Sequence, residues 1–197
     1  MSYTTTGTGR THLLAPPSFE IDGTARSFAS ATWKQIGHPL PLANGAVEHT
    51  FRGRLEEGLS LVLTLRVADD SPVIRFRYTL ESDRLRHLTK SNGRDAVEYT
   101  TLSLASLPDA AELRLSEFVV MVHTYVPNEV PLAPKEFAAS EKAVGPILLA
   151  GDSNHQVLIA YEHGSTYPDA YLQYLLSPDR TVALRAVKGN YLNNQEI

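Results

Sequence analysis

The chain has 197 residues, 43% of them apolar, with a formal charge of -4 and a pI near 6.0. A chain of this length can remove roughly 70% of its unfolded surface from water, so its core needs no staple. The absence of cysteine excludes disulfides, thiolate metal sites and a thiol nucleophile, and the lack of a basic excess argues against nucleic acid or an anionic membrane as partner.

The opening stretch, Met1 to Thr6, has neither a basic start nor an apolar run and does not read as a secretory signal. No segment approaches the eighteen or so consecutive apolar residues of a membrane helix. The expectation is a cytoplasmic protein. The first thirty residues are rich in Thr, Gly, Ser and Pro, and the segment 1–43 is expected to be loosely structured, packing on a sandwich built from 44–197. Gly7-Thr8-Gly9-Arg10-Thr11 lacks the preceding strand and the lysine of a phosphate loop. Trp33, the sole tryptophan, lies in Ala31 to Pro39, a segment that ends in turn residues. A loop tryptophan there could stack on a sugar ring; a buried anchor is the competing reading.

From residue 46 onward, strand patterning dominates. Ala46 to Arg52 reads as a strand, and Leu59 to Val67 alternates a wholly aliphatic face with a mostly polar one. Val73 to Leu80 places Ile74, Phe76, Tyr78 and Leu80 on one side and Arg75, Arg77 and Thr79 on the other. Asp69-Asp70-Ser71-Pro72 supplies the turn that joins the two as a hairpin. The arginines are expected to be solvated or paired across strands, with an interdomain ion pair as the sharper alternative.

Further strands are expected at Ala96 to Leu104, Leu113 to Tyr125, Gly145 to Ala150, Gln156 to His163, Ala170 to Leu176 and Thr181 to Lys188. Val126 to Pro134, with prolines at 127, 131 and 134, reads as a long exposed loop, followed by a short helical piece over Lys135 to Lys142. Roughly ten strands joined by short turns indicate an all-β fold, a large antiparallel β-sandwich with little helix.

Chemistry is sparse. No G-x-S-x-G elbow is present, and His163-Gly164-Ser165 lacks its flanking glycine and helix. His155 and His163 do not make a closed metal site, and no cofactor is expected. Glycoside hydrolysis needs two carboxyl groups across one bond, whereas Asp69, Asp70, Asp83, Asp109, Asp152 and Asp179 sit in turn-forming contexts that account for them. The segment from Ile159 to Tyr174 interleaves four tyrosines with Glu162, His163 and Asp169 around a glycine turn, a mixture of ring faces and polar groups suited to sugars. Tyr161, His163, Tyr167 and Asp169 are therefore candidate sugar contacts beside Trp33. Strand packing is the bland alternative for Tyr161 and Tyr171.

Three features occur in order: Asn44-Gly45 before a strand, the hairpin Val67 to Tyr78, and Ala160-Tyr161-Glu162-His163-Gly164-Ser165 with Pro168-Asp169. In these the chain, from about residue 44 onward, resembles the N-terminal domain of bacterial α-galactosidases of glycoside hydrolase family 36. The resemblance implies a β-super-sandwich preceding a downstream catalytic (β/α)8 barrel of the same polypeptide, which would hold both catalytic aspartates of a retaining hydrolase. It implies that this chain is not itself catalytic, since the Lys-Trp-Asp type of motif around the nucleophile is missing. It also implies a supporting role, with a loop aromatic lent to the sugar site, sometimes across a homo-oligomer interface. An independent carbohydrate-binding module taking galactosides or other oligosaccharides, and a sandwich for oligomer or partner contact, are the alternatives.

Overall fold

The computed structural model describes residues 2–4, 7, 9–90, 97–107, 112–119, 124–126, 141–144, 147–151, 153–160 and 170–188. Among these the regular structure is strand, apart from one 3-10 turn, Phe28–Ser30. The strands are β1 (Ser2–Thr4), β2 (Thr11–Ala15), β3 (Ser18–Ile21), β4 (Thr24–Ser27), β5 (Thr32–Gln35), β6 (Leu40–Pro41), β7 (Val47–Glu56), β8 (Leu59–Ala68) and β9 (Ser71–Ser82). They continue with β10 (Leu88–Lys90), β11 (Val97–Ser103), β12 (Glu112–Val119), β13 (Thr124–Val126), β14 (Glu141–Val144), β15 (Ile147–Gly151), β16 (Gln156–Ala160), β17 (Ala170–Ser177) and β18 (Thr181–Lys188). Every register given for a strand pair is antiparallel.

The chain divides into two compact units, one formed by residues 1–25 and 88–197, the other by the inserted stretch 26–87. The division thus falls elsewhere than at residue 43, and the first 43 residues, expected to be loosely structured, carry strands β1 to β6. These strands are two to five residues long with the longest at Thr11–Ala15, too short to show a period of two. Pro16 and Pro17 separate β2 from β3 because a residue without N–H cannot continue a ladder. The two pieces pair with β11 in succession, Leu14 with Leu102 and Ser18 with Glu98.

The first unit is the sandwich. Its larger sheet has nine strands, ordered β1-β2-β11-β18-β17-β14 with β3, β4 and β10 branching from it, and its smaller sheet runs β13-β12-β15-β16. The core draws on both. Leu102, Tyr174, Leu176, Val182 and Leu184 come from the large sheet, Leu148 and Ala150 from the small one, and the turn after β11 adds Leu104 and Leu107. Register explains the selection: Tyr174 opposes Leu184, while Leu176 and Leu102 both oppose Val182, so all point to one face. Each such leucine or valine, once buried, contributes about 1.5–3 kcal/mol of transfer free energy. On the other face of the large sheet, Arg185 and its cross-strand partner Glu98 approach to 3.7 Å.

The expected single strand Leu113 to Tyr125 is two strands, β12 and β13, paired antiparallel through Phe118 with Tyr125. The intervening Val120-Met121-Val122-His123 contains no Gly, Pro, Asn or Asp, so nothing in its composition marks a reversal. The proposed helix lies outside the described residues except for Glu141 and Lys142, which belong to β14. The proline-rich loop lies outside them too, beyond Val126, the last residue of β13.

The second unit is one five-stranded sheet, β5-β7-β8-β9 with β6 on β7. Registers place Trp33, Gly53, Leu61 and Leu80 on one face, followed along it by Phe51, Leu63 and Tyr78, then His49, Leu65 and Phe76. The other face is polar and tied by ion pairs between adjacent strands, Arg66 to Glu48 at 2.8 Å and across β8 from Arg52 to Glu81 at 2.9 Å. The expected hairpin is present: Ala68 pairs with Ser71 across the turn residues Asp69 and Asp70. Its second strand is the last in the sheet order, where Pro72 is tolerated. Ile74 and Phe76 are 41% and 39% exposed on it, so the apolar face is covered over Leu61 and Leu63 but open at this end.

Candidate functional site

Of the sequence-derived site residues, Trp33 is the one the structure describes; Tyr161, His163, Tyr167 and Asp169 lie outside the described residues. Trp33 is a strand residue of β5, half-buried, and its cross-strand partner is Gly53. A Cβ built on Gly53 would stand 2.8 Å from both Cε2 and Cζ2 of the indole. The ring therefore lies on bare backbone, and glycine is required there for the close approach. The segment reaches its turn only afterwards, at Gly37 with φ 70°.

A second constellation joins the two sheets of the sandwich, and it contains His155, which the sequence offered only beside His163 and not with His12. His12 follows the core-facing alternation of β2 with Leu14, on the large sheet, and His155 immediately precedes β16 on the small sheet. Both side chains are buried, and their Nε2 atoms are 3.0 Å apart. The ring planes differ by 9° and the centroids are 5.2 Å apart, which is about the N···N distance plus the two centre-to-nitrogen radii. The rings thus lie edge to edge in nearly one plane with their Nε2 atoms aimed at each other. That is a linear N–H···N hydrogen bond, in which one ring donates and the other accepts. A metal held between the two nitrogens would need bonds of about 2.0 Å on each side, hence roughly 4 Å of separation. No cluster of three or more His, Cys, Asp or Glu suited to a metal occurs among the described residues.

Several elements position this pair. Nδ1 of His12 is 3.1 Å from Oγ of Ser106, and Tyr3, its cross-strand partner on β1, lies alongside with centroids 6.4 Å apart. Ser106 sits in the turn after β11, closed by the Leu107 amide donating to the Leu104 carbonyl at 3.0 Å. Arg180, in the β17–β18 turn at φ 62°, ties that turn down: its carbonyl accepts from the Leu104 amide and its guanidinium donates to the Leu107 carbonyl, both at 2.8 Å. Gly151 fixes the His155 side, since a Cβ there would collide with the His155 carbonyl oxygen. Burial, then the neighbouring His155, push the His12 imidazole below its ordinary value; a hydrogen bond with the Ser103 backbone opposes this, and Arg10 adds to the lowering.

A hydroxyl, an imidazole and a third orienting group in a row have the form of an activated nucleophile. The Leu107 amide, which follows the serine and would be the natural donor to an oxyanion, is spent on Leu104 instead. A second link between the sheets comes from Tyr174, whose hydroxyl donates to the Ile159 carbonyl at 3.0 Å and whose phenol is pushed well up by burial. His12 could have been suspected from sequence as a lone histidine two residues before Leu14, but its partner lies 143 residues away.

Fold and site together define an all-β protein: a two-sheet sandwich with a buried histidine pair between its sheets, and a separate sheet carrying an indole on glycine. No family model, curated protein or solved structure matches this chain. Among the described residues no helix is long and apolar enough to cross a membrane.

Proposed function

We propose that this chain is a non-catalytic β-sandwich domain of an α-galactosidase-like glycoside hydrolase, supporting a (β/α)8 barrel of the same polypeptide. The observation that carries the reading is how four of the described strand carboxylates are used. Glu48 is held by Arg66, Glu81 by Arg52, Glu56 by both Arg26 and Arg86, and Glu98 by Arg185. Acids committed to arginines in this way are structural, whereas a glycosidase needs two carboxyl groups facing one glycosidic bond. The ordered resemblance from Asn44 onward supplies the family. Two measurements test it. The purified 197-residue chain is expected to leave an aryl α-galactoside intact, and the reading frame is expected to continue past Ile197 into alternating strands and helices with two strand-end aspartates. Turnover by the chain alone, or a stop codon at that point, overturns the proposal.

Trp33 favours a second reading, a sugar-binding surface, because an indole laid on Gly53 is a rigid ring platform. Titrating the chain with galactosides and glucosides while following Trp33 fluorescence separates the two. A saturable change supports sugar contact by this domain, and a flat response leaves support of the barrel as its role.

A further inference from the structure

We propose that the His12–His155 pair is a proton-operated clasp between the two sheets of the sandwich, closed while the pair shares one N–H···N hydrogen bond and opened when both rings are protonated. The geometry carries this. The Nε2 atoms face each other at 3.0 Å in nearly coplanar rings, so the bond needs one nitrogen with a proton and one without. A first added proton converts one ring to imidazolium and leaves the other nitrogen free to accept. A second replaces the last lone pair on that axis with another N–H, and two like charges then confront each other where a bond had been.

Among the described residues, the groups that act on His12 include no acid. Tyr3 presents a ring from β1, Ser103 and Ser106 present neutral oxygens from the end of β11 and its turn, and Arg10 is itself cationic. The pair joins β2 of the large sheet to the start of β16 in the small one, and through Ser106 it meets the turn that carries Leu104 and Leu107 of the core, so opening admits water to that end of the sandwich. The sign follows from the lowered pKa of His12. The unfolded chain takes up a proton near the ordinary histidine value, about 6.5, and the folded chain resists it. Stability contributed by the proton that His12 withholds is therefore complete above that value and falls as pH drops, with the folding equilibrium losing up to about tenfold per pH unit, until the folded pKa of His12 is passed.

The test is amide hydrogen exchange on the full chain at pH 7.5 and pH 5, corrected for intrinsic rates, in wild type and in the His12→Gln/His155→Gln double variant, whose amides bond in either sense without charging. Wild type should lose at least tenfold in protection in β2 and β16 on acidification, while β8 of the other unit does not follow and the double variant shows no such loss. Retained protection in wild type at pH 5, or an equal loss in the double variant, overturns the clasp. Should the double variant fail to fold, imidazole nitrogen NMR of wild type decides. A proton shared between two ring nitrogens that disappears as the rings protonate supports it, and two independently titrating rings without that proton refute it.

Discussion

Replacing Gly53 by alanine puts two physical effects in direct opposition. In the interior of a strand a glycine is the less favourable residue, and Gly→Ala alone should stabilise by about 0.5–1 kcal/mol through the unfolded chain. Here the new Cβ would stand 2.8 Å from two indole carbons of Trp33, and the ring must retreat by roughly half an ångström or more to regain ordinary contact. Overpacking of this kind costs about 1–3 kcal/mol. The contact term wins, and Gly53→Ala should destabilise by roughly 0.5–2 kcal/mol net. Urea unfolding followed through the fluorescence of Trp33, the single tryptophan, measures both the loss and the altered ring environment. In a Trp33→Ala background, where no tryptophan remains and urea unfolding is followed by circular dichroism, the same substitution should turn neutral or stabilising, because the clash is gone while the entropic gain remains. A Gly53→Ala chain as stable as the parent, or an identical loss in both backgrounds, would refute the packing of indole on backbone.

Tyr174→Phe keeps the packing of a wholly buried ring but leaves the Ile159 carbonyl without its 3.0 Å partner, and should cost about 1–3 kcal/mol in denaturant unfolding. Arg52→Ala removes an ion pair whose side chains are each 46% exposed, and the loss should stay within about 0.2–1 kcal/mol and shrink further in high salt. For His12, stability measured from pH 8 downward should hold above about 6.5 and then fall by up to about 1.4 kcal/mol per pH unit, a slope the His12→Gln/His155→Gln chain should lose.

The strands that sequence made legible are the long ones with a clean period of two. Leu59 to Val67 and Val73 to Leu80 were expected within a few residues of β8 and β9, and Ala170 to Leu176 with Thr181 to Lys188 correspond closely to β17 and β18. Short strands left too little pattern, as in β3, where four residues follow two prolines. The unit boundary was illegible for a related reason. Antiparallel hairpins look alike on either side of it, and what separates 26–87 from the remainder is which strands pair, a matter of register between distant segments. Alternation also identified the apolar face of β9 without revealing that Ile74 and Phe76 on it are partly open to solvent, since periodicity fixes a face and not what covers it.

The same limit governs the sites. Trp33 stood out by rarity, yet its environment depends on Gly53, a residue with no chemical signature, brought opposite it by the pairing of β5 with β7. His12 and Ser106 have no motif at all: one precedes Leu14 on the five-residue strand β2, the other sits in a turn, and they meet because Arg180 holds that turn against the β17–β18 hairpin. In both cases a functional candidate is completed by a backbone feature, a missing Cβ in one and a pinned turn in the other. Recognition of a single side chain type could not have found either. The two inter-sheet polar links also differ in chemical kind. Tyr174 bonds through a hydroxyl whose pKa burial drives upward, away from any physiological change of charge, whereas His12 and His155 bond through nitrogens of the one side chain type whose ordinary titration falls near pH 6.5. Within one sandwich, therefore, the link at Tyr174 is indifferent to acid and the His12–His155 link between β2 and β16 is the one that acid should open, so acid should loosen the sandwich there before it reaches Tyr174 and Leu148.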